Sequence, residues 1–238
     1  MVLETGLGAE SAEWQGVQSQ IEDRFRVFRY DRVGRGASGP ATGPQDASVM
    51  ADRLARLLRA SGLPPPWLLV GHSFGGLLMR IFAHRYRTEV QGLVLVEAMH
   101  EDQFDVFSDA FSKPTEADPP ALTQMKTLWR GAWRDPQSTV ERIDFPASFR
   151  EVRATGSLGD LPLVVLVAGS YRNSRLFPPE RRNALQSEWE RLQQTFLRLS
   201  SRATLVRLPS SEHFVQRDDP GAIVYAIDAI ARMRQATA

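Results

Sequence analysis

The chain of 238 residues contains no cysteine. That excludes disulfides, thiolate metal sites and a cysteine nucleophile. Lysine is nearly absent too: Lys113 and Lys126 are the only two, so arginine carries almost all the positive charge. This bias points to a GC-rich bacterial gene. Neither sign of charge dominates, with a formal net charge of +1. Nothing therefore argues for binding nucleic acid or an acidic membrane surface. No apolar run is long enough to span a membrane. No signal peptide is visible, and a cytoplasmic location is expected. The four histidines are scattered, with neither H-x-H nor H-E-x-x-H among them; no metal and no cofactor is expected.

What is present is enough for a substantial core: 42% of the residues are hydrophobic. The length suits one α/β domain with an insertion. Apolar runs alternate with helical patterns, the mark of βα units and a mostly parallel, doubly wound sheet. Strands are expected over 2–5, 26–30, 67–70, 92–96, 162–168 and 204–208. Helices are expected over 12–23, 47–60, 75–86, 179–199 and 221–234. In the last helix Ile223, Ile227 and Ile230 share one face. Residues 98–160 break the alternation. They hold no clear strand and are rich in aromatics, among them Phe104, Phe107, Phe111, Trp129, Trp133, Phe145 and Phe149. A structureless loop of that length is rare, so a helical insertion is expected, placed as a cap over a site. The expected division is 1–97 core, 98–160 cap and 161–238 core.

The strongest local signal is Gly71-His72-Ser73-Phe74-Gly75-Gly76, between a strand and a helix. G-x-S-x-G in that setting is a nucleophile elbow. The turn is too sharp for neighbouring side chains, so glycines flank the serine and its hydroxyl stands clear. A serine needs a base to take its proton. His213 follows the last strand, on the rim where the carboxyl ends of parallel strands meet. His72 adjoins Ser73, and its side chain is expected to leave the turn in another direction. The base needs an acid in the chain order Ser…Asp/Glu…His. No carboxylate follows the strand at 162–168. Glu97 ends the strand at 92–96 and is the first choice, with Asp102 second and Glu101 third. The oxyanion needs prepositioned donors. Those expected are the backbone N–H of Phe74 and that of Leu7, in Thr5-Gly6-Leu7-Gly8. Gly34 and Gly36 lack the spacing of a dinucleotide site and read as a turn.

On these motifs the chain resembles the α/β-hydrolase superfamily. The likeness is carried by Leu3-Glu4-Thr5-Gly6-Leu7-Gly8, by Tyr30-Asp31-Arg32-Val33-Gly34-Arg35-Gly36-Ala37-Ser38, by the elbow, by Leu93-Val94-Leu95-Val96-Glu97 and by His213. The resemblance implies a central elbow strand, a lid inserted after the strand ending at Glu97, and no cofactor. In many members the acid follows the next strand. The serine separates this chain from the branches that use aspartate. Members usually carry two more strands before the one that begins here. The expected fold is thus the α/β-hydrolase type without its first two strands.

The expected activity is hydrolysis of a carboxylic ester with a small to medium apolar acyl group, through an acyl-enzyme. The same triad also serves lactones, thioesters, amides and carbon–carbon bonds, and the fold also serves ligand binders without turnover. The expected partner is a small-molecule ester. Without the two strands, the segment at 26–30 becomes a sheet edge with Val27, Phe28 and Tyr30 open to pairing, and a homodimer would cover it.

Overall fold

A computed structural model of the protein describes residues 1–235. Its six strands form one parallel sheet in the order β2-β1-β3-β4-β5-β6. They are β1 (Val2–Glu4), β2 (Phe28–Arg29), β3 (Trp67–His72), β4 (Val90–Val96), β5 (Leu163–Ala168) and β6 (Ala203–Leu208). Each predicted strand is present. β3 and β5 are buried along their whole length. That is why they read as continuous apolar runs: helices cover both faces of a parallel sheet.

The two faces hold separate cores. Against one lie the helices Ala47–Ala60, Phe74–Arg85 and Pro179–Thr195, with Leu54, Leu58, Phe82 and Trp189 buried there. Against the other lies Pro220–Gln235, whose Ile223, Ile227 and Ile230 are fully buried. Each such side chain contributes roughly 1.5–3 kcal/mol relative to exposure. The helix Ala47–Ala60 starts where Asp46 accepts the Val49 N–H at 2.8 Å as its N-cap.

Three expectations change in detail. The helix expected over 12–23 is a 3-10 turn, Ser11–Trp14, then one α-turn, Gln15–Gln18. Only Trp14, Val17 and Ile21 of this stretch are fully buried hydrophobics, too few to hold a longer helix against the core. The strand expected over 26–30 shrinks to two residues, because β1, its partner, is itself only three residues long. The helix expected over 179–199 ends in a 3-10 turn, Phe196–Leu199.

The segment between β4 and β5 is helical, with Gln103–Phe107, Pro120–Arg130 and Phe145–Ala154 joined by 3-10 turns. Its aromatics pack on one another: Phe104 stacks on Trp133 at 5.2 Å and meets Phe145 edge-on at 5.4 Å. Phe74 joins them from the elbow helix, 5.6 Å from Phe145. The insertion therefore shares its core with the sheet domain. Among the described residues no helix is long and apolar enough to cross a membrane.

Candidate active site

The turn after β3 carries the most strained serine of the chain. Ser73 has φ 51 and ψ −120. Such a conformation costs on the order of 1–3 kcal/mol and persists only where the surroundings impose it. They do so by close approach. A Cβ on Gly71 would lie 2.5 Å from the Gly75 carbonyl oxygen, and one on Gly75 would lie 2.5 Å from the carbonyl oxygens of both Glu4 and Thr5. The backbone is also stitched to the next strand. Ser73 N–H donates to Val96 O at 3.0 Å and Met99 N–H donates to Ser73 O at 2.9 Å.

Ser73 lines a cavity of about 740 Å3 together with Leu7, Glu97, Tyr171, Trp189 and His213. The insertion contributes Phe104, Phe111 and Trp129 to its wall. The structure thus brings the sequence-predicted residues Ser73, His213, Glu97 and Leu7 to one cavity. Phe74 is buried directly beside it. The two alternative acids lie elsewhere. Glu101 pairs with Arg80 at 2.7 Å, and Asp102 pairs with Arg153 at 2.6 Å. Against the upward push of burial, Arg80 draws the Glu101 carboxyl down to about 2. Neither residue lines the cavity.

Glu97 is fully buried and, like Ser73, has a positive φ, 46. Its carboxylate accepts the Ala168 N–H at 2.7 Å, the Trp189 indole N–H at 2.7 Å and the Ser170 hydroxyl. Burial still pushes this carboxyl up to about 8, against those three donors. Burial lowers His213 to about 4, so the imidazole is neutral at neutral pH, the form a general base needs. Among the described residues no hydrogen bond joins Ser73, His213 and Glu97 to one another; the three share a cavity.

The loop Thr5-Gly6-Leu7-Gly8 is braced on its outer side. Arg32 donates to Thr5 O at 2.7 Å and to Gly6 O at 2.6 Å. It also pairs with Glu4 and Glu141, both at 2.6 Å, with all three side chains buried. Glu141, from the insertion, accepts the Gly8 N–H at 2.7 Å. The Leu7 and Phe74 amides, by contrast, have no acceptor among the described residues. A free amide pair beside a serine is what an oxyanion would require.

Several site residues carried no signal in the sequence. Trp189 and Ser170 hold Glu97, and Gln186 fixes the turn beside it by accepting from Tyr171 N at 3.1 Å. Gln186, Trp189 and Gln193 sit at helical spacing on one buried face of Pro179–Thr195. Two glutamines on an inward face were the one available hint. His72, expected from the sequence to leave the turn in another direction, turns its ring to the His213 backbone and still lines the cavity. The Gly34 and Gly36 segment is a turn, tied down by Asp31, which accepts Ser11 N–H at 2.7 Å and Ala37 N–H at 3.1 Å. Among the described residues no group of three or more acidic or histidine side chains is placed to hold a metal.

This sheet order, elbow and cavity define an α/β hydrolase. A family model described as the alpha/beta hydrolase fold matches residues 1–194, and the chain belongs to that family. It is 27% identical over 229 residues to the uncharacterized protein YqjL of Bacillus subtilis, covering 95% of this chain and 81% of that one. An AB hydrolase superfamily protein of Gibberella zeae is 36% identical over 104 residues, 42% of this chain and 32% of its own. Among solved structures, a thermophilic esterase from Thermogutta terrifontis superposes with a TM-score of 0.60 at 20% identity, over 98% of this chain and 89% of that one. At that identity the likeness is one of fold. The family membership makes the protein a hydrolase by class.

Proposed function

We propose that this chain is a serine hydrolase that cleaves carboxylic esters of small to medium apolar acyl groups. Ser73 Oγ attacks the ester carbonyl carbon while His213 takes its proton. The Leu7 and Phe74 amides receive the oxyanion. Collapse expels the alcohol, which takes the proton back from His213. Water, deprotonated by His213, then releases the acid from the acyl-enzyme and restores Ser73. Glu97 is the acid of the set: it shares the cavity with His213, whereas Glu101 and Asp102 are committed to Arg80 and Arg153. The insertion acts as the cap, its aromatics forming the apolar wall for the acyl group.

The observation that carries this reading is the strained Ser73, held at φ 51 on a cavity that His213 also lines. The test is Ser73→Ala. Hydrolysis of p-nitrophenyl butyrate is expected to fall by several orders of magnitude with the fold intact, and fluorophosphonate labelling to vanish. Near wild-type turnover by the variant would end the proposal. A panel of p-nitrophenyl esters of rising acyl length then reads the cavity's size preference.

A further inference from the structure

His72 sits in the middle of the elbow motif, yet the proposed reaction gives it no part. Its ring is almost fully buried in the wall of the cavity and reaches the backbone of the last loop. His72 Nε2 lies 2.8 Å from the His213 carbonyl oxygen. A carbonyl can only accept, so Nε2 carries the proton and Nδ1 is left as an acceptor. Gln216 fits that tautomer, with its Nε2 amide 3.3 Å from His72 Nδ1. The ring also packs at a tilt 4.8 Å from the His213 ring and 5.5 Å from Phe214. On its other side it closes on the loop after β1: a Cβ on Gly6 would lie 3.0 Å from His72 Nδ1 and 3.2 Å from Ser73 Cβ. One side chain thus touches the nucleophile turn, the Leu7 loop and the His213 loop.

The consequence for His213 is specific. Among the described residues no other hydrogen bond reaches residue 213. The flanking bonds end on its neighbours: Glu212 N–H donates to Asp218 at 2.7 Å, and Arg217 N–H donates to Phe214 O at 2.8 Å. Resting on the reading above, we infer that His72 is a positioning residue that ties the His213 backbone to the turn bearing Ser73 and so sets the distance between base and nucleophile. Burial, reinforced by the neighbouring His213, holds His72 well below the usual imidazole range, so the ring stays neutral near neutrality, and the His213 carbonyl keeps its one proton at Nε2. Misplacing a reacting group by about 1 Å can cost on the order of a hundredfold in rate.

The test compares His72→Gln with His72→Asn. Both are polar amides of similar burial cost. A glutamine amide reaches the place of the imidazole Nε2, and an asparagine amide stops short of it. In the 238-residue chain, H72N is expected to lower kcat on p-nitrophenyl butyrate by tenfold to about a hundredfold, with KM within about twofold. H72Q is expected to recover most of the loss. Fluorophosphonate labelling of Ser73 should slow in the same order. Hydrogen exchange across 211–216 should quicken in H72N but not in H72Q, a readout that does not depend on turnover. Equal kcat in wild type and H72N, or equal losses in the two variants with unchanged exchange, would overturn the inference. A wild-type chain that neither turns over ester nor labels would instead remove the serine-hydrolase reading, while the exchange data would still judge the hydrogen bond.

Discussion

Glu97 is the residue whose chemistry the structure makes most specific. Three donors face its carboxylate, yet complete burial leaves the proton bound up to about 8. Nearby Glu190 adds repulsion in the same direction. A protonated Glu97 cannot stabilise an imidazolium. On the proposed mechanism, the active form therefore carries ionised Glu97 and neutral His213. His213, lowered to about 4, is already neutral above pH 5. Raising the pH through 8 ionises Glu97, so kcat/KM for p-nitrophenyl butyrate is expected to climb about tenfold between pH 7 and pH 9. A profile flat over pH 6 to 9 would take the charge of Glu97 out of the mechanism. The matching substitutions separate the acids. Glu97→Gln should cost at least about a hundredfold in kcat and erase the rise. Asp102→Asn, which touches a half-exposed pair with Arg153, should stay within about threefold. Equal damage in both would transfer the role.

At the scale of elements, the loop after β1 is the joint between the segment after β2 and the insertion. Arg32 reaches it from the segment after β2, and Glu141 reaches it from the insertion. Burial alone would lower the Arg32 guanidinium, but Glu141 and Glu4 outweigh it and hold it above its ordinary range. Burial raises Glu4, whose other oxygen accepts the Tyr30 hydroxyl at 2.6 Å. Removing Glu141 leaves Arg32 paired with Glu4 but breaks one buried ion pair and strands the buried Arg32 Nε donor. Glu141→Ala is expected to cost about 3–5 kcal/mol of stability, read as a lower urea midpoint. It also leaves Gly8 N–H without its acceptor, so activity below the unfolding transition should fall as well. An unchanged midpoint would mean that water replaces the carboxylate and that the joint is not rigid.

The whole molecule has one uneven boundary. β2 is a two-residue edge, bordered by a groove lined by Phe25, Val27, Phe28 and Leu63 together with Glu22, Asp23, Arg24 and Arg26. The apolar members invite pairing with a second copy. The shortness of the strand and the surrounding charges blunt it. The expected outcome is a weak dimer, with the mass by light scattering rising from 26.7 kDa toward twice that value over micromolar concentrations. Phe28→Lys should return it to the monomer. A wild type that stays monomeric throughout would show that two residues are too few to pair.

What the sequence by itself determined is whatever depends on neighbours along the chain. The six strands, the helix at 47–60 and the Ser73 elbow are local patterns of burial, periodicity and steric need, and each is found in the region where its pattern lies. The rim rule for parallel strands was also enough to bring His213, Glu97 and Leu7 to the cavity of Ser73. What only the tertiary structure decided are contacts whose energy comes from distant partners. Trp189 bonds Glu97 across 92 residues, Glu141 bonds Gly8 across 133, and His72 bonds the His213 carbonyl across 141. The helix expected over 12–23 failed for the same reason, since its length depends on how much core it meets and not on its own periodicity. Local sterics write turns and periods into a sequence. The pairing of buried polar groups depends on which segments the fold brings together, and no spacing along the chain records it.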